Sequence, residues 1–139
     1  MRVYIAGVYE DRNELRRELE EAVRLLGLHG RLEIVSRWLH RDGEPPPEAW
    51  IDREFVDLDA REHRIAVEDV QDIQSADVLV LDTRSRALRG GREVEYGLAL
   101  AHKLPVVRVG PARNIFHGLA SYACEDLIGA LEWISQRLP

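Results

Sequence analysis

Cysteine occurs once in the 139 residues, at Cys124, so no internal disulfide forms. With no Cys or His at zinc-ligand spacing, that thiol reads as a packed side chain in a reducing, cytoplasmic compartment. Basic charge is in deficit: 19 Lys and Arg stand against 25 Asp and Glu, a formal net charge of −6. That balance argues against a broad basic surface for a DNA or RNA polymer, though not against a small nucleotide ligand. No apolar run approaches the ~18 residues that a membrane span needs. The first residues enter a β-rich run at once, without the apolar core of a signal peptide. Repeats, low-complexity tracts and long linkers are also missing. What remains is 45% hydrophobic and 32% charged, the composition of one globular domain spanning residues 1–139.

Residues 2–7 (Arg-Val-Tyr-Ile-Ala-Gly) read as a first buried strand ending in glycine. Asp11 with Glu14 three residues on suggests a capping box. Leu15, Leu19, Val23 and Leu26 follow at helical spacing, and Gly27 and Gly30 are stop signals. Residues 32–36 suggest a second strand, which completes a right-handed βαβ unit. Residues 42–47 (Asp-Gly-Glu-Pro-Pro-Pro) then break the pattern, with Trp38, His40 and Trp50 on their flanks. They read as a surface loop or as a lid over a pocket. A charged helix is expected from about residue 57 to 75, carrying Ile65, Val70 and Ile73 on one stripe. Residues 77–81 make a third strand and residues 82–89 are polar and irregular. Gly90-Gly91 opens another helix, residues 106–109 make a fourth strand, and a last helix runs from about 125 to 137.

Strands alternating with helices predict a single-domain α/β fold: a doubly wound, flavodoxin- or Rossmann-like, mainly parallel sheet of about five strands with helices on both faces. Such sheets bind ligands beyond the carboxyl ends of their strands, where strand order reverses. That rule gathers Gly7, Val8 and Tyr9 with the segments 82–91 and 110–114. It also brings the start of the Gly91 helix to the crevice, where free backbone N–H groups allow a ligand close approach. Glu93 and Glu95 stand about 200° apart around that helix, so one at most faces the crevice. Glu95 shares its side with Leu98, Ala99 and His102, and Asp69 offers a second carboxylate from the preceding helix. Two carboxylates from separate elements can cleave a glycosidic bond, one attacking the anomeric carbon and the other managing the leaving group.

Five pieces now stand in order: residues 3–7 (Val-Tyr-Ile-Ala-Gly), Glu68-Asp69 eight residues ahead of Asp77, residues 76–80 (Ala-Asp-Val-Leu-Val), residues 95–100 (Glu-Tyr-Gly-Leu-Ala-Leu) and Asn114. In this order and spacing the chain resembles, over roughly residues 2–117, the nucleoside 2-deoxyribosyltransferases and the related 2'-deoxynucleoside 5'-monophosphate N-hydrolases. The resemblance implies a covalent deoxyribosyl intermediate on Glu95, a Tyr4 hydroxyl that orients Glu95, and an Asp69 that assists the departing base. It also implies an Asn114 that reaches the sugar's 5' end in a neighbouring subunit, hence a homodimer or higher homo-oligomer with a shared site. It implies no cofactor. Tyr4 also reads as core, Asp69 as a solvated helix-face charge and Asn114 as a turn residue.

The pattern departs from the resemblance in two places. The loop after the first strand, Val8-Tyr9-Glu10-Asp11, has no serine and adds two acids, which repel a 5'-phosphate and favour a free nucleoside. Against this, Arg89 stands six residues before Glu95. With Arg84, Arg86, Arg92 and the Gly90 and Gly91 amides it suggests an anion site, or else a solvated loop. Tyr9 and Trp38 suit either stacking on a base or packing. His63, His102 and His117 form no recognisable triad. The readings left open are exchange between deoxynucleosides, hydrolysis of nucleoside 5'-monophosphates, and a nucleotide-binding module without turnover.

Overall fold

Five consecutive residues, Val78–Asp82, are buried at every position, as a central strand covered on both faces requires. The computed structural model describes residues 1–41, 60–86 and 90–139. Its elements in chain order are β1 (Arg2–Ala6), α1 (Arg12–Leu25), β2 (Glu33–Ile34), α2 (Ala60–Ser75), β3 (Val78–Asp82), α3 (Gly91–Ala101), β4 (Val106–Val109), β5 (Tyr122–Cys124) and α4 (Leu127–Ser135). Short 3-10 turns lie at Tyr9–Asp11, Arg37–His40 and Ile115–Leu119.

The five strands form one sheet in the order β2-β1-β3-β4-β5, and every neighbouring pair is parallel. The chain leaves β1 for the edge strand β2, then returns across β1 to β3. Right-handed crossovers therefore put α1 and α2 on opposite faces. α1 packs on α4 and α2 packs on α3, giving a pair of helices to each face. Strand order reverses between β1 and β3, so their carboxyl ends border the crevice. This is the α/β sheet expected from the sequence.

Several local expectations change. The second strand shrinks to Glu33–Ile34. β3 runs one residue later than expected, over Val78–Asp82, and just ahead of it the Asp77 carboxylate accepts from the Arg2 amide at 2.7 Å. β5 lies outside the four strands placed by pattern; it is three residues long and mostly exposed. No side chain caps α1: the Asp11 carboxylate instead accepts from the Ser85 hydroxyl at 2.6 Å. Trp38 is a packing residue, buried with its indole N–H donating to the Ile5 carbonyl at 2.7 Å. The expected start of the second helix near Asp57, the proline segment 42–47 and Trp50 lie outside the described residues. Among the described residues no helix is long and apolar enough to cross a membrane.

Gly110 follows β4 at φ +106°, and a Cβ there would lie 2.9 Å from the Arg84 nitrogen and 2.9 Å from the Thr83 hydroxyl. That hydroxyl bridges the Val109 and Pro111 carbonyls, so the ends of β3 and β4 close on this glycine. Gly110→Ala is expected to destabilise the protein by about 2 kcal/mol and to lower Tm by roughly 6 °C. Unchanged melting by circular dichroism would contradict the close approach.

Candidate active site

Tyr4 sits mid-strand in β1 and is fully buried. Its ring points to the face that α2 and α3 cover, where it meets Asp69 from α2 and Glu95 from α3. Burial, then the charges of Glu95 and Asp69, push the Tyr4 hydroxyl far above its ordinary range. It stays a neutral donor. Burial also pushes the Glu95 carboxyl up to about 8, with Asp69 adding to the rise, while the Tyr4 hydroxyl, Arg41 and Arg92 pull it back. Asp69 is pushed up to about 6 by burial, opposed by Arg41 and reinforced by Asp72 and Glu68. The three groups form one electrostatic unit, whose proton losses belong to the pair of carboxyls rather than to either alone.

Two oxygens of this unit, Tyr4 Oη and Glu95 Oε2, are shut off from solvent without a well-aligned hydrogen-bond partner; Asp69 Oδ1, equally enclosed, has the Arg41 guanidinium beside it. The Tyr4 hydroxyl still lies close enough to Glu95 to favour its ionised form through a hydrogen-bond contact. The two groups thus approach each other without full alignment. Unpaired buried polar atoms each cost on the order of 1–3 kcal/mol. Two such atoms side by side make this corner a candidate site for a polar ligand.

Sequence patterning missed Arg41. Its guanidinium lies 3.0 Å from Asp69 Oδ1 and 3.0 Å from Glu68 Oε2, and its carbonyl accepts from the Tyr9 hydroxyl at 2.9 Å. Arg41 borders the proline segment, where neither helical nor strand period operates. Only proximity to two helix carboxylates could have revealed it.

The other expected binding residues spread out. Gly7 allows close packing: a Cβ there would lie 3.0 Å from Leu15 and 3.6 Å from the Trp38 ring. Val8 accepts from the Asp11 amide and starts the first 3-10 turn. Tyr9 has one ring face under the Arg12 guanidinium at 4.2 Å. Gly91 opens α3 behind Gly90, whose φ of +77° is left-handed. Arg89 lies outside the described residues. Arg84 holds both oxygens of Asp82 and pairs with Glu18 at 2.8 Å. Arg92 is buried and donates to the Asp82 and Ser85 carbonyls. These two arginines are neither a solvated loop nor free for an anion; Arg86 is exposed.

Asn114 lies on the other flank of α3. It donates to Glu93 at 3.2 Å and accepts from the His117 amide. His117 is fully buried. Its Nδ1 accepts from the Arg113 amide, so the proton sits on Nε2, 2.8 Å from Glu93. Burial pushes Glu93 up, but hydrogen bonds from His117 and Asn114 outweigh it and leave the carboxyl below its ordinary value. Glu93 thus anchors the Ile115–Leu119 turn while Glu95 faces Tyr4, as their separation around the helix demands. His63 and His102 are exposed. Among the described residues no cluster of three or more His, Cys, Asp or Glu is arranged for a metal ion.

No family model and no curated protein matches the sequence. Solved structures do share the fold. One is a conserved protein from Enterococcus faecalis, with a TM-score of 0.67 and 18% identity, covering 99% of each chain. Another is the CMP N-glycosidase BcmB of Clostridium botulinum, with a TM-score of 0.57 and 12% identity, covering 96% of this chain and 99% of that one.

The raised Glu95 carboxyl ties stability to pH. Between its ordinary value of 4.5 and about 8, the folded state binds more protons than the unfolded chain, so stability falls as pH rises through that window. Asp69 acts in the same direction at lower pH. Glu95→Gln is therefore expected to melt ~3 °C or more above the wild type at pH 9, with the gap closing below about pH 4.5. A pH-independent gap in thermal melts would contradict a buried ionisable carboxyl.

Proposed function

We propose that the chain breaks the N-glycosidic bond of a 2'-deoxynucleoside and passes the sugar to a second base, with Glu95 as nucleophile. The observation that carries this reading is the convergence of Tyr4, Asp69 and Glu95 from three elements beside the β1/β3 crevice. The fold shared with a CMP N-glycosidase supports it.

The pair's single proton rests mainly on Glu95, the more strongly raised of the two carboxyls; the productive form is the less populated tautomer in which Asp69 holds that proton and Glu95 is ionised. A Glu95 oxygen attacks C1', and the C1'–N bond breaks with its electron pair going to the base. Asp69 gives its proton to that nitrogenous leaving group. The Tyr4 hydroxyl holds the ionised Glu95 in position. The acceptor base then attacks C1' from the side the first base left. Its proton returns to Asp69, Glu95 departs as a carboxylate, and the configuration is retained. A carboxylate suffices as nucleophile and as counter-charge to an oxocarbenium-like transition state, so the scheme calls for no cofactor.

The likeness to a CMP N-glycosidase favours one second reading, hydrolysis of a nucleoside 5'-monophosphate, in which water takes the acceptor's place. A chromatographic assay separates the two. Deoxyinosine with free adenine is expected to give deoxyadenosine, and Glu95→Ala to lower turnover ~10³-fold or more. Base released only from monophosphates would establish the second reading. Ligand binding without turnover in either assay, or full turnover by Glu95→Ala, would remove Glu95 from the chemistry and leave a binding module.

The pair also sets a pH profile. Because the active species holds one proton, kcat/KM is expected to fall below about pH 6 and above about pH 8. A plateau extending to pH 10 would show that no carboxyl proton is needed.

A homodimer completes the proposal. Around Asn114 the Ile115–Leu119 turn leaves Ile115 86% and Phe116 60% exposed, and Val94 is exposed on the adjoining α3. We place a second copy on this face, which presents Asn114 across the boundary. Light scattering is expected to give a dimer that Phe116→Asp converts to a monomer with lost turnover. A monomeric wild type with full turnover would exclude a shared site.

A further inference from the structure

Arg41 lies where three otherwise separate parts of the chain meet. Its backbone carbonyl is held by the hydroxyl of Tyr9, from the turn after β1. Its guanidinium reaches α2 with two different nitrogens, Nη1 at 3.0 Å from Asp69 and Nη2 at 3.0 Å from Glu68. The side chain is only 11% exposed, so solvent screens these contacts weakly. A neighbouring arginine, Arg37, holds Asp72 one turn further along α2 at 2.7 Å. The 37–41 segment thus lays two guanidinium groups along the acidic side of α2, one for each of its inward aspartates.

We infer that Arg41 is a positioning residue: it fixes the direction of the Asp69 carboxylate and balances the negative charge that Asp69 and Glu95 share. The kinetic part of this inference rests on the glycosidic reading above; the electrostatic part stands without it. Among the described residues, the titratable and charged groups that act on the pair are Tyr4 from β1, Glu68 and Asp72 from α2, Arg92 from α3, and Arg41 itself. Of these only Arg41 and Arg92 carry positive charge. Arg92 is already committed to the Asp82 and Ser85 carbonyls, whereas Arg41 touches a member of the pair directly. A planar fork with two N–H edges suits this task, because one edge on Glu68 leaves the other to define where Asp69 points. Loss of the charge raises the proton affinity of both carboxyls. Loss of the fork alone leaves the charge in place and frees the Asp69 rotamer.

The test is a carbon-13 carboxyl titration by NMR on the full chain, with Asp69 and Glu95 signals assigned through D69N and E95Q. Arg41→Met is expected to move both midpoints upward, that of Asp69 by about one unit or more. Arg41→Lys is expected to restore most of that shift while kcat stays ~10-fold or more below wild type and KM changes less than kcat. In Arg41→Met the kcat/KM optimum moves to higher pH along with the midpoints. Midpoints unchanged in folded Arg41→Met overturn the inference. If that variant fails to fold, wild-type kcat in Arg41→Lys overturns it, since a merely structural arginine would cost melting temperature and not turnover. Shifted midpoints in a protein that turns over no nucleoside or nucleotide would uphold the electrostatic role of Arg41 and reject the glycosidic reading.

Discussion

Burying a carboxylate is unfavourable unless hydrogen bonds or opposite charge offset the lost hydration, and this fold draws two largely covered ones into one corner. Asp69 and Glu95 each raise the other's proton affinity, and burial raises both further. The surrounding arrangement answers that cost. Tyr4 brings a neutral hydroxyl from below, and Arg41 and Arg92 bring positive charge from two sides. β1 has to be buried throughout to hold Tyr4 there, and its burial runs unbroken from Val3 to Ala6. Gly7 lets α1 and Trp38 close over the strand end, and the Trp38 indole fixes the 37–41 segment to the Ile5 carbonyl. The path from a strand glycine to the aim of a carboxylate is one of packing, followed by hydrogen bonding.

α3 divides the molecule's chemistry. Two glutamates two residues apart cannot share a side of a helix, and here each is used. Glu95 turns inward and keeps its proton near neutrality. Glu93 turns to His117 and Asn114, and those donors hold it ionised. Its carboxylate therefore serves as an anchor, and together with the Tyr96 hydroxyl on the Phe116 carbonyl it fixes the Ile115–Leu119 turn to the helix. The same helix thus orients the Glu95 carboxyl and fixes the exposed apolar turn that follows Asn114. A change in α3 register would be felt at both places.

What was legible in the sequence were the residues on regular elements. The strand at 77–81, the Gly-Gly start of α3 and the alternation of strands and helices depend on local composition, and the sheet followed. Tyr4, Asp69 and Glu95 stand at defined positions in a strand and two helices, so topology alone brings them close. The residues that escaped depend on contacts distant in sequence. Arg84 finds Glu18 from 66 positions away, and Arg41 finds Glu68 across a segment without periodicity. Asp11 looks like a helix cap until Ser85, 74 positions on, claims its carboxylate. β5 is three residues at a sheet edge, too short for a pattern to show.

The same contacts bear on which substrate the corner tolerates. A 5'-phosphate brings close to two negative charges at neutral pH, and a nearby anion raises the proton affinity of carboxyls already pushed upward. A phosphate site on this scaffold would need cations not already engaged; Arg86 is exposed and Arg89 lies outside the described residues, and the other arginines near the corner are committed. Arg84 is held between Asp82 and Glu18, and Arg92 is buried under two carbonyls. Arg41 already balances Glu68 and Asp69, and the turn after β1 places Glu10 and Asp11 before α1. An uncharged nucleoside adds no such burden. Its sugar becomes positive only as the bond to the base breaks, and at that moment a carboxyl pair holding one proton offers the opposite charge. The electrostatics of the described residues around Asp69 and Glu95 therefore suit a ligand that is neutral on arrival and cationic at the transition state.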